Sequence, residues 1–364
     1  MRRREFLRVG AATALSTPAL AAPAIAQSQP EIKWRLSSSF PKTLETMYAT
    51  AQIACRYVAE ATDNKFLIQP YQAGELAPGH QALDAASSGS VECAHTPLYY
   101  YAAKEPVLSF GTGIPFGLNS RHHQAWLMFG GGGEIINSAL KRLNVVGLPA
   151  GVTGTQMGVW SKKDIASVDD LKGLRWRISG PGAPVLERIG VAPQQIPHFD
   201  VPAAMEHGTI DAAEFICPVD DEKLGLVKHA KSIYYPCWWE SGGMLHLAIN
   251  LERWNALPKS YQSIVARACE AATTWMLAKY DAGNGPAVKR LVAAGAVLKP
   301  FPQPVMDAFY RAATEHHAEL ASANGHVKKA LESVNAFRKE QQIWQQVAEF
   351  AIDSYMMSVR GRLQ

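Results

Sequence analysis

Between residues 33 and 95 the chain alternates short apolar strands with helical segments, and that alternation narrows the fold more than any other feature. Residues 33–38 read as a strand. Residues 43–60 carry Met47, Ala51, Ile53, Ala54 and Val58 at helical spacing. A strand at 66–68 follows the turn Asp63-Asn64, a helix at 80–88 closes on Gly89, and 91–95 is a strand again. Such alternation implies an α/β protein built on a parallel sheet. The pattern resumes further on, with strands at 144–148, 156–160, 175–178 and 245–250 and a helix at 182–189. Residues 126–140 read as a helix broken by the four glycines 130–133. Residues 260–294 read as a long helical stretch interrupted at Gly283-Asn284-Gly285-Pro286, and 328–363 as helix almost throughout.

A chain of 364 residues exceeds one small core and suits two lobes. The expected division is lobe I at 27–149 with part of 251–364, lobe II at 150–250, and connecting and C-terminal helices over 251–364. A chain that crosses between lobes more than once encloses a hinged cleft, a common place for a small ligand.

Residues 1–26 read as an export signal. Arg2-Arg3-Arg4-Glu5-Phe6-Leu7-Arg8 is a charged start, a mild apolar stretch runs from Val9 to Ala22, and Ala24-Ile25-Ala26 offers a small-x-small cleavage pattern. The paired arginines before Phe6-Leu7 resemble a bacterial twin-arginine signal, with an ordinary secretory signal as the alternative. Either way the mature chain is expected to begin near Gln27 and to work in the periplasm. The signal also explains the basic balance: of a formal net charge of +4, residues 1–26 hold +3. The near-neutral remainder carries no electrostatic footprint for nucleic acid. With 48% hydrophobic residues and 19% charged, the body is neither collagen-like nor disordered. Five cysteines (Cys55, Cys93, Cys217, Cys237, Cys269) form no C-x-x-C pair, which argues against a zinc knot.

Motifs for enzymatic chemistry are missing: there is no G-x-S-x-G elbow, H-E-x-x-H or Walker A sequence. His122-His123 and His198 are isolated. Asp220-Asp221-Glu222 caps a helix or, alternatively, holds a metal. The informative residues are polar groups in apolar surroundings: Gln156, Arg177, Glu214 and Glu240, each read as the end of an apolar strand in one lobe. Buried charges are costly unless paired, so four together point to a site.

Several stretches carry a family resemblance. They are Thr153-Gly154-Thr155-Gln156-Met157-Gly158, Gly173-Leu174-Arg175-Trp176-Arg177-Ile178, Gly190-Val191-Ala192-Pro193-Gln194-Gln195-Ile196, Gly208-Thr209-Ile210-Asp211-Ala212-Ala213-Glu214, Asp220-Asp221-Glu222-Lys223-Leu224-Gly225 and Tyr234-Tyr235-Pro236-Cys237-Trp238-Trp239-Glu240. Residues 30–360 thereby resemble the solute receptors of tripartite ATP-independent periplasmic (TRAP) transporters, the DctP-type family, in its branch that binds 2-oxo acids and lactate with a metal ion. The resemblance implies a two-lobed periplasmic binding protein that hands a small organic acid to TRAP membrane permease subunits and is not an enzyme. It further implies that Arg177 clamps the ligand carboxylate, and that Gln156, Glu214, Glu240 and the Phe215 carbonyl hold one Na⁺ or Ca²⁺. Such hard oxygen donors suit these ions. Tyr99, Tyr100 and Tyr101, with Gln156, are the implied ligand-binding wall.

The chain departs from the branch pattern at Phe215, where the branch has Trp, at Asp200-Val201-Pro202-Ala203 and at Pro218-Val219-Asp220-Asp221. Lost ring volume and hydroxyls suggest a ligand with a different or larger apolar tail. Two other readings use the same cleft: a periplasmic metal-dependent hydrolase or lyase acting on an organic acid, and a ligand-sensing partner of a membrane receptor. A hydrolase needs an open metal position and a general base, and no further His or Cys lies near these residues in sequence. At the C-terminus, Val334, Phe337, Trp344, Val347, Ala351 and Tyr355 form one stripe, with Ile343, Phe350 and Met357 off it. That helix either closes the hinge side of its own chain or is shared with a second copy in a homodimer.

Overall fold

The computed structural model describes residues 30–197 and 200–360. The signal segment 1–26 and His198 lie outside the described residues. From Ile32 onward the chain forms one compact unit, and within it are two sheets. The strands are β1 (Ile32–Ser38), β2 (Phe66–Tyr71), β3 (Cys93–Pro97), β4 (Val145–Val152), β5 (Val159–Ser161), β6 (Arg175–Arg177), β7 (Ala192–Gln194), β8 (Ala212–Glu214), β9 (Ser232–Tyr235), β10 (Met244–Asn250) and β11 (Val297–Pro300). The first sheet has the order β2-β1-β3-β10-β4 and the second β11-β9-β5-β8-β6-β7. This is the expected two-lobed α/β fold with long C-terminal helices.

The expected parallel sheet needs one correction. β10 runs antiparallel to β3 and β4, and β5 runs antiparallel to β8 and β9. Both strands are delivered by a segment that crosses from the other sheet: residues 153–158 lead from β4 to β5, and 236–243 lead from β9 to β10. A strand arriving from the facing sheet is free of the right-handed helical return that forces neighbouring βαβ strands parallel. Sheet membership therefore does not follow linear ranges. β10, within 150–250, completes the first sheet, and β11, from the C-terminal third, edges the second.

β3 sits in the middle of the first sheet and is buried along its whole length, whereas β2 at the edge buries Phe66 and Ile68 and exposes Leu67. A helix at Glu45–Ala61 and the long helix Lys259–Ala293 cover one face through Ala51, Cys55, Val58, Tyr261, Val265 and Cys269. The second sheet packs on Trp176, Trp238, Trp239, Phe301 and Phe309. All five cysteines are buried free thiols.

The long helix runs through Gly283-Asn284-Gly285-Pro286 without the expected interruption. Pro286 forfeits one helical hydrogen bond, but buried Tyr280 before it and buried Ala287 and Leu291 after it anchor both halves. At 130–133 the glycines do break the chain: one helix ends at Phe129, Gly131 adopts φ +81°, and the next begins at Gly132.

Two helices end the described chain, Gly325–Val347 and Glu349–Arg360, with the break at Ala348. Val327, Ala330 and Val334 pack into the core of the first lobe, and Phe337 packs against it. Further on, Ile343, Trp344, Val347, Phe350, Tyr355 and Met357 are all more than half exposed. Among the described residues no helix is long and apolar enough to cross a membrane.

Candidate functional site

β6 and β8 are parallel neighbours, with Arg177 opposite Ala213. Arg177 and Glu214 therefore emerge at the same end of the second sheet. Arg177 Nη1 donates to Glu214 Oε1 at 2.6 Å and to the Glu214 carbonyl oxygen at 2.9 Å, while Nε donates to the Ile196 carbonyl at 3.1 Å. The Ser179 amide donates to the same Oε1 at 3.0 Å.

Gln156 and Glu240 come from elsewhere. Neither is at a strand end as expected: strand β5 starts only at Val159, so Gln156 lies on the crossover from the first sheet, and Glu240 lies on the return crossover. Each reads as a strand end because it adjoins buried apolar residues, Val159-Trp160 after Gln156 and Cys237-Trp238-Trp239 before Glu240. The four residues meet there at exposures of 7% (Gln156), 2% (Arg177), 4% (Glu214) and 8% (Glu240). The bare Cα of Gly243 makes room for one of them, since a Cβ there would stand 2.1 Å from Glu240 Oε1.

Burial dominates the electrostatics. It pushes the Glu214 carboxyl up to about 7 despite the opposing pull of Arg177. It pushes Glu240 up to about 8, with the Glu214 charge adding to the effect and a side-chain hydrogen bond from Gln156 opposing it. Two carboxylates held in a dry space raise one another's cost of ionisation unless positive charge is added between or beside them. The donors gathered here are carboxylate, amide and main-chain carbonyl oxygen, a set that fits a hard cation such as Ca²⁺ or Na⁺ and not zinc. Among the described residues no group of three or more His, Cys, Asp or Glu is assembled for a metal; the set here has two carboxylates.

These side chains border a small, partly open cavity of about 20 Å³, room for little more than a water molecule. Its walls include Tyr99, Tyr100, Thr153, Gln156, Ser179, Glu214, Phe215 and Glu240, with an apolar end made by Phe40, Met47, Ile216 and Leu245. Arg177 stands just behind the lining, and its charge reaches His80, Tyr99 and Tyr100. Tyr99 closes the cleft against the opposite lobe. Its ring lies 3.0 Å from where a Cβ on Gly180 would be, and Gly180 takes φ +71°.

Tyr101 is not brought to the site. The tyrosines fall in a 3-10 turn, where successive side chains point about 120° apart. Tyr101 turns into the first core and its hydroxyl accepts the Leu83 amide at 2.9 Å. Sequence reading missed His80, whose ring lies 4.2 Å from that of Tyr100. It also missed Phe40, which follows the small buried run Ser37-Ser38-Ser39 at the end of β1. Asp220 and Asp221 are buried in the first turn of the helix Pro218–Leu224 rather than exposed around a metal. His123 is a core residue whose Nε2 lies 2.8 Å from the Phe110 carbonyl.

The family described as bacterial extracellular solute-binding protein, family 7 (DctP), matches residues 37–324. The monocarboxylate 2-oxoacid-binding periplasmic protein of Nostoc sp. is 44% identical, over 98% of this chain and 100% of its own. A TRAP transporter solute-binding protein from Bordetella bronchiseptica is 43% identical, with a TM-score of 0.89 over 92% of this chain and 100% of its own. It is described as a mixed-occupancy dimer with calcium and picolinate in one site. A TRAP periplasmic solute-binding protein from Pseudoalteromonas atlantica, with bound sodium and pyruvate, is 30% identical, with a TM-score of 0.85 over 89% of this chain and 99% of its own.

Proposed function

The chain belongs to the family-7 bacterial extracellular solute-binding proteins, the DctP family of TRAP transporter receptors, and on that premise we propose that its cleft captures a small monocarboxylic 2-oxo acid together with one calcium or sodium ion. The observation that carries this reading is that Gln156, Glu214 and Glu240, from both crossovers and a strand end, line one small cavity, with Arg177 bonded to Glu214 behind it. Gln156, Glu214, Glu240 and the Phe215 carbonyl would hold the ion. The ion, when bound, supplies the positive charge that lets two buried carboxylates and the acid's own carboxylate share a small volume. Arg177 orients Glu214 and pulls it toward the ionised form against burial, and its planar guanidinium suits an incoming carboxylate. Tyr99 and Tyr100 offer hydroxyl donors and ring faces. The apolar end made by Phe40, Met47, Ile216 and Leu245 takes the acid's alkyl tail.

In this reading the acid is delivered unchanged to a TRAP permease. The cavity presents no activated nucleophile, and the hydrolase alternative has no observation in its favour. Residues 1–26 direct export to the periplasm and are removed near Ala26. A second copy is the occupant we propose for the exposed apolar surface of the last helices, as befits Trp344, Val347 and Phe350 standing out from the first lobe. Mass spectrometry of small molecules released from freshly purified protein, with metal analysis of the same sample, tests the main reading. A 2-oxo acid with about one ion per chain supports it, and a protein carrying an unrelated ligand class with no ion refutes it.

A further inference from the structure

Beneath the cavity, Asp221 makes two contacts that the ion-and-acid reading does not use. Its Oδ2 accepts the Trp160 indole N–H at 2.7 Å, and its Oδ1 accepts the Ile216 amide at 3.4 Å; both contacts are buried. The second contact bears on the site directly. The Ile216 N–H belongs to the same peptide unit as the Phe215 carbonyl, and in a trans peptide the two point in opposite directions. The only cis bond among the described residues is Tyr235–Pro236. An acceptor that fixes the N–H on one side therefore fixes the carbonyl on the other. Phe215 and Ile216 both line the cavity, while Asp221 is buried in the helix Pro218–Leu224.

The geometry points to Asp221 as a positioning residue: we infer that it clamps the 215–216 peptide so that the Phe215 carbonyl is held ready for a cation. Trp160 lies on β5, where its neighbour Val159 pairs with Glu214. The indole N–H thus ties Asp221 to the strand next to the one that carries the adjoining carboxylate. One rigid unit, β5–β8 and the first turn of the following helix, would fix the carbonyl and Glu214 relative to each other before any ion arrives. Asp221 touches neither ion nor acid in this arrangement. It acts through the peptide, as outer-shell partners of metal ligands do elsewhere.

The inference rests on the ion-and-acid reading, and the test separates the two. Calcium affinity and pyruvate affinity at saturating calcium are measured by calorimetry for wild type, Trp160→Phe, Asp221→Asn and the double variant Trp160→Phe/Asp221→Leu. In the double variant both partners of the buried indole bond become apolar, which keeps the interior satisfied but leaves the Ile216 amide without its acceptor. Amide hydrogen exchange at Ile216 is followed in ion-free protein. The expected result is calcium affinity at least about tenfold weaker in Asp221→Asn and in the double variant, with Ile216 exchange at least about tenfold faster. Pyruvate affinity at saturating calcium stays within about threefold of wild type, and Trp160→Phe alone stays within about threefold on every count. A folded double variant with wild-type calcium affinity and wild-type Ile216 exchange overturns the positioning role and leaves the ion-and-acid reading standing. Wild type that binds neither calcium nor pyruvate removes that reading, and the positioning role with it. Should Asp221→Asn fail to fold, the double variant carries the comparison.

Discussion

Arg177 grips both ends of Glu214: one guanidinium nitrogen lies 2.6 Å from the side-chain oxygen and 2.9 Å from the main-chain carbonyl oxygen of the same residue. The strand end and the carboxylate are thereby fixed by a single donor, in a place where both residues are almost fully buried. Nε meanwhile donates to the Ile196 carbonyl at 3.1 Å, so donors at both ends of the planar guanidinium are used, which a single ammonium nitrogen cannot match.

Arg177→Lys is accordingly expected to weaken acid binding at least about tenfold, ~1.4 kcal/mol, because charge is kept and geometry lost. Arg177→Met goes further, since it strands a buried carboxylate, and is expected to destabilise the fold by about 3–5 kcal/mol. Calorimetry with pyruvate and chemical denaturation check the two parts. Unchanged affinity in the lysine variant contradicts the clamp.

Glu240→Gln removes one of the two carboxylates while keeping an oxygen acceptor and the side chain's length. Its calcium affinity is expected to fall at least about tenfold. Apo-protein stability is expected to hold or rise, because burial already disfavours the charged form. Paired calcium titrations and thermal melts read both quantities, and a variant that binds calcium as wild type does removes Glu240 from the ion site.

His246 offers a pH test away from the site. Burial, helped by His123 and His95, pushes its imidazole down to about 3 from an ordinary value near 6.5. Below pH 6.5 the unfolded chain takes up a proton that the folded chain refuses, so this residue's contribution to stability is complete above that pH and is lost as pH falls toward 3. Glu214 and Glu240 shift in the opposite direction, so the difference between two proteins is the clean reading. The stability gap between wild type and His246→Gln is expected to shrink by about 1.4 kcal/mol per pH unit below 6.5. Denaturation curves at several pH values giving a constant gap contradict it.

The last helices locate the association test. Ser333 accepts the Trp126 indole N–H and Val334 is core, so removing them would damage the lobe itself. A chain ending after Glu340 keeps that packing and loses the exposed apolar residues from Ile343 to Met357. Light scattering coupled to size exclusion should find a dimer for the mature chain and a monomer for the shortened one. Two monomers of normal stability contradict the second-copy assignment.

Much of this arrangement was legible in the sequence, and the gaps have physical reasons. Arg177 and Glu214 stood out because a charge inside a short apolar strand needs a partner, and the structure supplies each with the other. Gln156 and Glu240 are legible as residues but not as to element, since Gln156 stands three residues before the apolar strand β5 and Glu240 follows the buried run Cys237-Trp238-Trp239. Tyr101 was indistinguishable from its neighbours in a run of three; only the tight turn separates a core tyrosine from two cleft tyrosines. The apolar end of the cavity was invisible because Phe40, Met47 and Leu245 are ordinary core residues in sequence, and facing the cleft depends on how the two sheets oppose each other. Pro286 misled because local propensity was outweighed by the buried anchors on both sides of it.

The central claim is that acid and ion share one site built by Gln156, Glu214, Phe215 and Glu240, and pyruvate titration of exhaustively chelated protein, in sodium-free buffer with and without calcium, tests it most directly. The account expects pyruvate affinity at least about tenfold higher with calcium, and calcium affinity raised by pyruvate through the same factor, as linkage requires. Equal pyruvate affinity in the two buffers contradicts it.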